Sequence, residues 1–285
     1  MTTPACCPEG SLPPVTFDTG QSIGTTQEIE KSYDQDSMKI YVTPPNSLRQ
    51  SKRIVVVFSD VYGYSSGLHF QFADALAKKL GTDTTVVIPD LFRGSPCMQP
   101  WSIFGETVGG ALGFPAMLFR AKFWYHSNYV YDSTTKLILP WLKNQSSSTC
   151  NDIEFSCVGF CFGGWVIGKT IGLGVPWKCG VGMHPAFNLE KVHGGTEHSL
   201  AEGVGAVPYF LMPAGNDSKE VKVGGAATNI MAEARAVEES DVSLTFPKML
   251  HGWVTRGNPK DVNIKNAQTR ALNKTVEFIN TYHKV

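Results

Sequence analysis

Three residues of this sequence have side chains that could form a nucleophilic relay, and each follows directly on an apolar run. Cys161 is flanked by glycines two residues before and two residues after it, Asp217 follows the next run but one, and His251 follows the last run. A thiolate can attack a carbonyl carbon, an imidazole can take the thiol proton and later activate water, and a carboxylate can orient that imidazole. The sequence therefore predicts acyl-transfer chemistry by a Cys-His-Asp triad.

The residues around Cys161 predict a sharp turn from a strand into a helix. The segment 155–158 is apolar enough for a buried strand, and the segment 163–171 predicts a helix. The residue at the tip of such a turn has a strained backbone, and glycines beside it let strand and helix approach closely. The positive end of the helix favours a thiolate at the tip. The alternative is a buried cysteine beside a glycine turn.

Apolar runs that alternate with amphipathic segments predict an α/β fold with a mostly parallel sheet and helices on both faces. The runs 54–58 and 86–88 are typical of strands that are covered on both faces. The segment between them has one apolar stripe, so strand, helix and strand form a right-handed crossover unit. Further strands are predicted at 38–42 (an edge strand), 180–183, 209–212 and 242–246, and further helices at 129–142, at 224–239 and near the end of the chain.

One domain, residues 31–285, is predicted to follow an irregular arm, residues 1–30. The arm is rich in Pro, Gly, Ser and Thr and shows no periodicity. Its vicinal pair Cys6-Cys7 could be redox-active or bind metal, but no His or third Cys lies near it in the sequence, which favours a plain tail. Residues 91–128 carry aromatic side chains among glycines and prolines. This insertion forms either a surface excursion with its own small core or a lid over a pocket.

The composition argues against several classes of partner. Because 25 basic and 25 acidic residues balance, no electrostatic footprint for nucleic acid or an anionic membrane is present. Seven scattered cysteines do not suggest a disulfide framework, which favours a reducing cytoplasm. We expect no signal peptide, because no basic segment precedes an apolar run, and no membrane span, because the most apolar tract is short and interrupted. A monomer or weak dimer is expected.

Other histidines are expected to have structural roles. His184 ends the predicted strand 180–183, where a histidine satisfied by the backbone is favoured over a polar group of a pocket. His193 and His198 resemble metal ligands only loosely in their spacing. We therefore expect no metal in this protein.

A tetrahedral oxyanion formed at Cys161 would need two hydrogen-bond donors. The backbone N–H of Phe162, directly after the nucleophile, is one candidate, and that of Val61, in the loop after the strand 54–58, is the other. Removing one such donor typically costs about 2.7–4 kcal/mol of transition-state stabilisation. These donors are backbone N–H groups, which do not depend on the type of side chain. The sequence therefore indicates only where along the chain they lie.

These motifs together resemble the dienelactone hydrolase (carboxymethylenebutenolidase) family, and most closely its eukaryotic members. The resemblance covers nearly the whole chain, and nucleophile, acid and histidine follow in the order of α/β-hydrolases. It implies an α/β-hydrolase fold that cleaves a small ester or lactone without a cofactor. The motifs are Cys6-Cys7-Pro8, Asp60-Val61-Tyr62-Gly63, Pro89-Asp90-Leu91-Phe92-Arg93, the turn around Cys161, His184-Pro185, Asp217 and His251-Gly252-Trp253.

The resemblance also implies roles for charged residues near the triad. Asp60 stands where well-studied members have a Glu that controls ionisation of the nucleophile, and it is one methylene shorter. Arg93 and Arg256 are candidates for binding the carboxylate of an anionic lactone, because a guanidinium forks onto carboxylate; the alternative is two ordinary surface arginines. The aromatic insertion, Tyr64 and Trp253 are expected to shape an apolar pocket.

The alternative to a hydrolase is a non-hydrolytic relative that binds a small ligand or senses oxidants through Cys161. An acid and a histidine in the right order argue against it, because binding or sensing requires neither. An exposed thiol of low pKa would nonetheless be oxidisable. Glycan hydrolysis by two carboxylates finds no supporting spacing. The remaining cysteines are expected in the core or in loops: Cys97, Cys150, Cys157 and Cys179.

Overall fold

The structure is a computed structural model, which describes residues 6–15, 22–30, 37–94, 96, 127–146 and 153–283. A twisted sheet forms the centre of this part of the chain. Its strands are β1 (Thr25–Ile29), β2 (Met38–Thr43), β3 (Arg53–Phe58), β4 (Thr84–Pro89), β5 (Glu154–Phe160), β6 (Gly180–Met183) and β7 (Tyr209–Met212). Their spatial order is β1-β2-β4-β3-β5-β6-β7.

The five strands β4, β3, β5, β6 and β7 run parallel to one another, whereas β1 and β2 are antiparallel to their neighbours. Every residue of β3 and β4 is buried, as expected where a parallel sheet is covered on both faces. The prediction of a mostly parallel sheet is therefore confirmed. Because parallel strands end at one edge of the sheet, the loops after β3, β5 and β7 meet there.

Helices cover both faces of this sheet, as predicted. Helices α1 (His69–Leu80) and α8 (Val262–Tyr282) pack on one face, with Phe72, Leu76 and Ile279 in that core. Helices α4 (Phe162–Gly172), α5 (Glu197–Val204) and α6 (Ala226–Arg235) lie on the other face. The remaining helices are α2 (Ser127–Asp132), a π-helical turn (Ser133–Ile138), α3 (Leu139–Gln145), α7 (Trp253–Arg256) and the 3₁₀ turns Ser47–Gln50, Phe187–His193, Lys219–Val221 and Glu239–Asp241.

The predicted strand 242–246 is reduced to two isolated bridges next to β7. Ser243 bridges Leu211, and Phe246 bridges Ala214. The ladder breaks because Pro213 lies between these points and has no N–H to donate, although its carbonyl still accepts from Phe246. The segment nevertheless runs parallel to β7, so His251 is still delivered to the carboxyl edge of the sheet.

The end of the predicted irregular arm is a strand. Residues of β1 pair antiparallel with β2, from Thr25 opposite Val42 to Ile29 opposite Met38. Only Ile29 of β1 is buried, so the strand carries no apolar period that the sequence could have revealed. The prediction of an irregular arm up to residue 30 was wrong at this point, and β1 rather than β2 is the edge strand.

The predicted insertion 91–128 is described only at its two ends, residues 91–94, 96 and 127–128. The hypothesis of an aromatic lid therefore lies outside the described residues, as do Cys97 and Cys150. The predicted helix 129–142 is present and is longer, because α2, the π-helical turn and α3 follow one another without interruption. None of the helices in the described part of the chain has the length and apolarity that crossing a membrane requires.

Candidate active site

Cys161 occupies the sharp turn between β5 and α4. Its backbone has φ 52° and ψ −110°, a conformation that costs free energy and persists only where its surroundings impose it. Cys161 N–H donates to the Met183 carbonyl, and the Cys161 carbonyl accepts from Gly164 and Ala186. A Cβ at Gly159 would lie 2.2 Å from a backbone oxygen of the turn, so a side chain there would push strand and helix apart. The predicted strand-to-helix turn is thus present.

The two predicted oxyanion donors belong to neighbouring strands. Phe162 is the first residue of α4, and Val61 follows β3 by three residues. Strands β3 and β5 are adjacent and parallel, with Phe58 opposite Gly159. Both Phe162 and Val61 are buried. The fold therefore brings both segments to the same edge of the sheet, next to Cys161.

The structure joins Asp217 and His251 directly. Asp217 Oδ1 lies 2.5 Å from His251 Nδ1, and the other carboxylate oxygen accepts from Ala214 N–H at 2.6 Å. The His251 N–H donates to the Asn216 side chain at 2.7 Å. The imidazole is therefore held with Nε2 as its remaining free position. No described residue bonds this atom with hydrogen-bond geometry.

The arm lies over Cys161. Cys7 Sγ is 3.9 Å from Cys161 Sγ, and Cys6 Sγ is 3.5 Å from Cys7 Sγ. Asn216 Nδ2 donates to the Glu9 carbonyl at 3.0 Å, which fixes the segment after the pair. Cys161 is consequently 0% exposed. We call Cys6, Cys7 and Cys161 the three-thiol cluster.

The arm continues over the histidine. Leu12 N–H donates to the His251 carbonyl at 2.9 Å, and its side chain packs on the core that contains Trp253. Together with the bond to Glu9, this contact fixes the arm on both sides of the triad. In this arrangement the arm and the candidate site form one packed unit.

The ionisation of the site follows from this packing. Burial raises the pKa of the Cys161 thiol, and the Cys6 and Cys7 thiols raise it further. The Cys7 pKa is lowered, because the Cys161 and Cys6 thiols donate to its sulfur and His251 adds a positive charge. Burial opposes charge on His251, but Asp217 and Cys7 raise its pKa to about 9. With the arm in place, these interactions favour negative charge on Cys7 over Cys161 and positive charge on His251.

Asp60 interacts with Arg256. The Asp60 carboxylate accepts from Arg256 Nη1 at 3.0 Å, from Thr255 Oγ1 at 3.3 Å, from Tyr62 N–H at 3.0 Å and from Ser66 Oγ at 3.3 Å. The role of Asp60 in controlling the nucleophile stays a prediction, and Arg256 interacts electrostatically with both Asp60 and Cys161.

Arg256 is a buried cation, not a surface arginine. Its side chain is 1% exposed, and its guanidinium carbon lies 4.9 Å from the centre of the Tyr62 ring. Burial lowers its pKa, but Asp60 and the Cys161 and Cys7 thiols raise it above its usual value. Nε and Nη2 have no hydrogen-bond partner among the described residues. These two donors are available to an anion at the site.

The remaining predicted pocket residues have different surroundings. Arg93 is half-buried, with Nη2 3.5 Å from Ser133 Oγ and its guanidinium over the Tyr129 ring. Tyr64 packs edge-on against Phe70 of α1. Both Tyr64 and Trp253 belong to the core between the sheet and helices α1 and α8, whereas Cys161 belongs to the core on the other face. Their predicted part in shaping the pocket remains a prediction.

His184 was expected to be satisfied by the backbone, and this expectation was wrong for its ring. Neither ring nitrogen has a hydrogen-bond partner among the described residues, and burial lowers the pKa of the imidazole, with a further contribution from the His251 charge. The His184 ring packs edge-on against that of His251 at 4.9 Å. His184 is thus a neutral ring that packs against the candidate base, His251. Cys157 and Cys179 are buried in the core, as expected.

A cavity of about 260 Å³ opens beside the relay. Cys6 and Pro8 of the arm form one wall, and Asp217 and His251 belong to another. Among the described residues that line it, Cys161 is absent. The cavity is therefore lined by the arm and by the candidate acid and base, but not by the candidate nucleophile.

The sequence did not reveal that Cys6 and Cys7 reach Cys161. The vicinal spacing of Cys6 and Cys7 is visible in the sequence. Their contact with Cys161 spans more than 150 residues and therefore leaves no local pattern. The three Sγ atoms lie within 4.8 Å of one another. The one sequence feature that points to such a contact is a pair of adjacent cysteines in an otherwise polar arm.

Comparisons with known proteins agree on the fold and the family. A model of the dienelactone hydrolase family matches residues 38–283. The structure resembles a dienelactone hydrolase of Anabaena variabilis (12% identity, TM-score 0.56, 92% of this chain and 100% of that chain). It also resembles esterases of Pyrococcus furiosus (14%, 0.54, 95% and 99%) and Pyrobaculum calidifontis (13%, 0.53, 90% and 84%). No curated protein matches the sequence.

Proposed function

Because the chain belongs to the dienelactone hydrolase family, and is thus a hydrolase of the ester or lactone type, we propose that Cys161 is its nucleophile. The observation that carries this proposal is the strained backbone of Cys161 at the turn between β5 and α4. A thiol that only filled the core would not need such a conformation. The bonded pair of Asp217 and His251 at the same edge of the sheet supports it.

The reaction begins when the arm has moved and His251 Nε2 faces Cys161. His251 takes the thiol proton, Cys161 attacks the carbonyl carbon of the ester or lactone, and Asp217 stabilises the imidazolium. Collapse of the tetrahedral intermediate breaks the ester bond, and the alkoxide takes the proton from His251. Water, deprotonated by His251, then attacks the thioester, which releases the acid and restores the thiol. The Phe162 and Val61 N–H groups are the proposed donors to the oxyanion.

Access to Cys161 requires displacement of the arm. Cys161 is fully buried, and the cavity beside His251 is lined by Cys6 and Pro8 of the arm but not by Cys161. A lid that closes in this way excludes water from the site and must open for substrate. Removal of the Cys6 and Cys7 thiols from its surroundings also removes the contacts that raise the Cys161 pKa. Opening the arm therefore both exposes and activates the nucleophile.

The substrate is proposed to be a small ester or lactone, and Arg256 is the better supported of its two candidate cationic ligands. Its Nε and Nη2 donors are buried and have no hydrogen-bond partner in the described part of the chain, and its charge acts on Cys161. Arg93 contacts α2 and the π-helical turn, so its role rests on the resemblance alone. No cofactor enters this scheme. A cytoplasmic location and a monomeric or weakly dimeric state remain predictions.

The test is hydrolysis of p-nitrophenyl acetate and of an anionic dienelactone by the wild type and three variants. Cys161→Ala, His251→Gln and Asp217→Asn should each lower kcat by about 10³- to 10⁴-fold, whereas Cys157→Ala, a buried cysteine outside the site, should retain turnover. Mass spectrometry of the quenched wild-type reaction should show an acyl adduct on Cys161. Turnover that survives in folded Cys161→Ala protein would overturn the proposal.

One observation favours a second candidate function, the sensing of oxidants through Cys161. Cys7 lies 3.9 Å from Cys161, in the position of a resolving thiol. Peroxide would oxidise one thiolate to a sulfenic acid with loss of hydroxide, and the second thiolate would displace the sulfenic hydroxyl to form a disulfide. Treatment with one equivalent of peroxide would then remove two mass units and join the peptides that contain Cys7 and Cys161. No such crosslink would refute this function.

A further inference from the structure

The three-thiol cluster has the dimensions of a thiolate metal site. Two thiolates bound to one Zn²⁺ with bonds of about 2.3 Å at tetrahedral angles lie about 3.8 Å apart. The Sγ distances are 3.5 Å for Cys6 to Cys7 and 3.9 Å for Cys7 to Cys161, and all three sulfurs lie within 4.8 Å of one another. Thiols are weak hydrogen-bond donors, so their mutual contacts alone do not explain why the cysteines converge.

His251 is the candidate for a fourth ligand, although the described ligand atoms that lie within 4.8 Å of one another are the three sulfurs alone, so its ring has to approach them when a metal binds. His251 Nε2 is buried and makes no hydrogen bond of good geometry with the described residues, and the ring interacts with the Cys7 thiol, which raises its pKa. Its other nitrogen, Nδ1, is bonded to the Asp217 carboxylate. A histidine that ligates a metal almost always donates its second ring N–H to a carboxylate, a carbonyl or water in this way. Three cysteines and one histidine are a common ligand set of structural Zn²⁺.

The surrounding charge suits an anionic complex. Three thiolates, a neutral imidazole and Zn²⁺ carry a net charge of about −1. Arg256 is buried beside the cluster, interacts electrostatically with Cys161, Cys7 and Cys6, and has two donor nitrogens without partners among the described residues. The guanidinium charge would compensate that of the complex in a site where water cannot do so.

We propose that Cys6, Cys7, Cys161 and His251 form a Zn²⁺ site that fastens the arm over the candidate nucleophile. Binding replaces the remaining thiol protons, which pass to solvent. The ligands come from the arm, from the turn after β5 and from the loop that precedes α7, so one ion joins three segments. The site itself does not depend on the proposed function. If Cys161 is the nucleophile, Zn²⁺ holds the enzyme closed.

The experiment titrates the reduced, metal-free full chain with Co²⁺, which reports thiolate ligation by intense charge-transfer absorption. We expect one equivalent per chain with the visible spectrum of a tetrahedral site, and displacement by Zn²⁺. Cys6→Ser and Cys7→Ser change buried side chains of the arm, and each keeps the size of the side chain it replaces. Each should weaken Co²⁺ binding by more than about 100-fold, since even loss of a group that only orients a ligand costs about 10–100-fold. Cys157→Ser and Cys179→Ser are matched controls that should bind like the wild type.

Three outcomes would overturn the inference. They are the absence of thiolate absorption in the wild type, unchanged binding by Cys6→Ser and Cys7→Ser, and an equal loss in the controls. The proposed function is tested separately by hydrolysis without metal. Thiolate-bound Co²⁺ in a chain without hydrolase activity would support the site and refute the enzyme, whereas hydrolysis without Co²⁺ binding would do the reverse.

Discussion

The buried pair of Asp60 and Arg256 makes a sharp prediction about stability. Their side chains are 0% and 1% exposed, and Arg256 Nη1 lies 3.0 Å from Asp60 Oδ2. Removing one partner of such a pair leaves an uncompensated buried charge, at a cost of about 3–5 kcal/mol. Asp60→Ala also removes the acceptor for Tyr62 N–H, Ser66 Oγ and Thr255 Oγ1. We therefore expect Asp60→Ala to lower the free energy of unfolding by at least about 3 kcal/mol.

Urea denaturation at pH 7 measures this loss as a shift of the midpoint at unchanged slope. The matched control is Glu277→Ala, which breaks an exposed pair with Lys274, whose side chain is 42% exposed against 65% for Glu277; it should cost less than about 1 kcal/mol. Replacing both buried partners, by Asp60→Leu with Arg256→Met, should recover part of the loss, because no unpaired charge remains. A loss below about 1 kcal/mol for Asp60→Ala, or a double variant less stable than the sum of both single changes, would refute the reasoning.

Three further predictions concern the relay, the turn and the arm. The pKa of His251 is raised to about 9, so the stability it contributes should be complete below its unfolded pKa of about 6.5 and lost as pH rises through 9; Asp217→Asn should flatten this dependence of the unfolding free energy. Gly159→Ala should prevent folding or cost several kcal/mol, because its methyl group would lie 2.2 Å from a backbone oxygen, and circular dichroism with urea melts would show it. Deleting residues 1–10 should speed alkylation of Cys161 by iodoacetamide, measured by peptide mass spectrometry; an unchanged rate would contradict the covering role of the arm.

The fold was predictable because its signals are local. An apolar run such as 54–58 indicates a strand that is covered on both faces. The glycines on either side of Cys161 indicate a sharp turn, because only glycine fits at those positions. The sequence predicts a continuous strand at 242–246, which the structure does not form. The reason is also local, but it lies in the segment that pairs with 242–246. Pro213 removes one N–H from the ladder, and a pattern read along 242–246 contains no information about that residue.

The contacts of the site were less predictable, because they depend on which distant segments pack together. The sequence makes Asp60 and Arg256 separate candidates for the site, but nothing in their spacing indicates that they pair with each other. The same holds for the arm, whose polar composition gave no reason to place Cys7 against Cys161. Charged and sulfur-containing side chains acquire their roles from neighbours, whereas glycines and apolar runs carry theirs in the chain itself.

The position of His251 is compatible with both a closed site and the reactive site that we propose. Asp217 holds the His251 ring and the Asn216 side chain holds its backbone N–H, and neither of these two bonds involves a residue of the arm. With the arm in place, the ring interacts with the Cys7 thiol, and burial among thiols raises the pKa of Cys161. In the proposed mechanism the arm moves away, and Cys161 is then the sulfur that remains for His251 Nε2. Arg256 interacts electrostatically with both sulfurs, so in the proposed mechanism the position of the arm would decide which sulfur reacts.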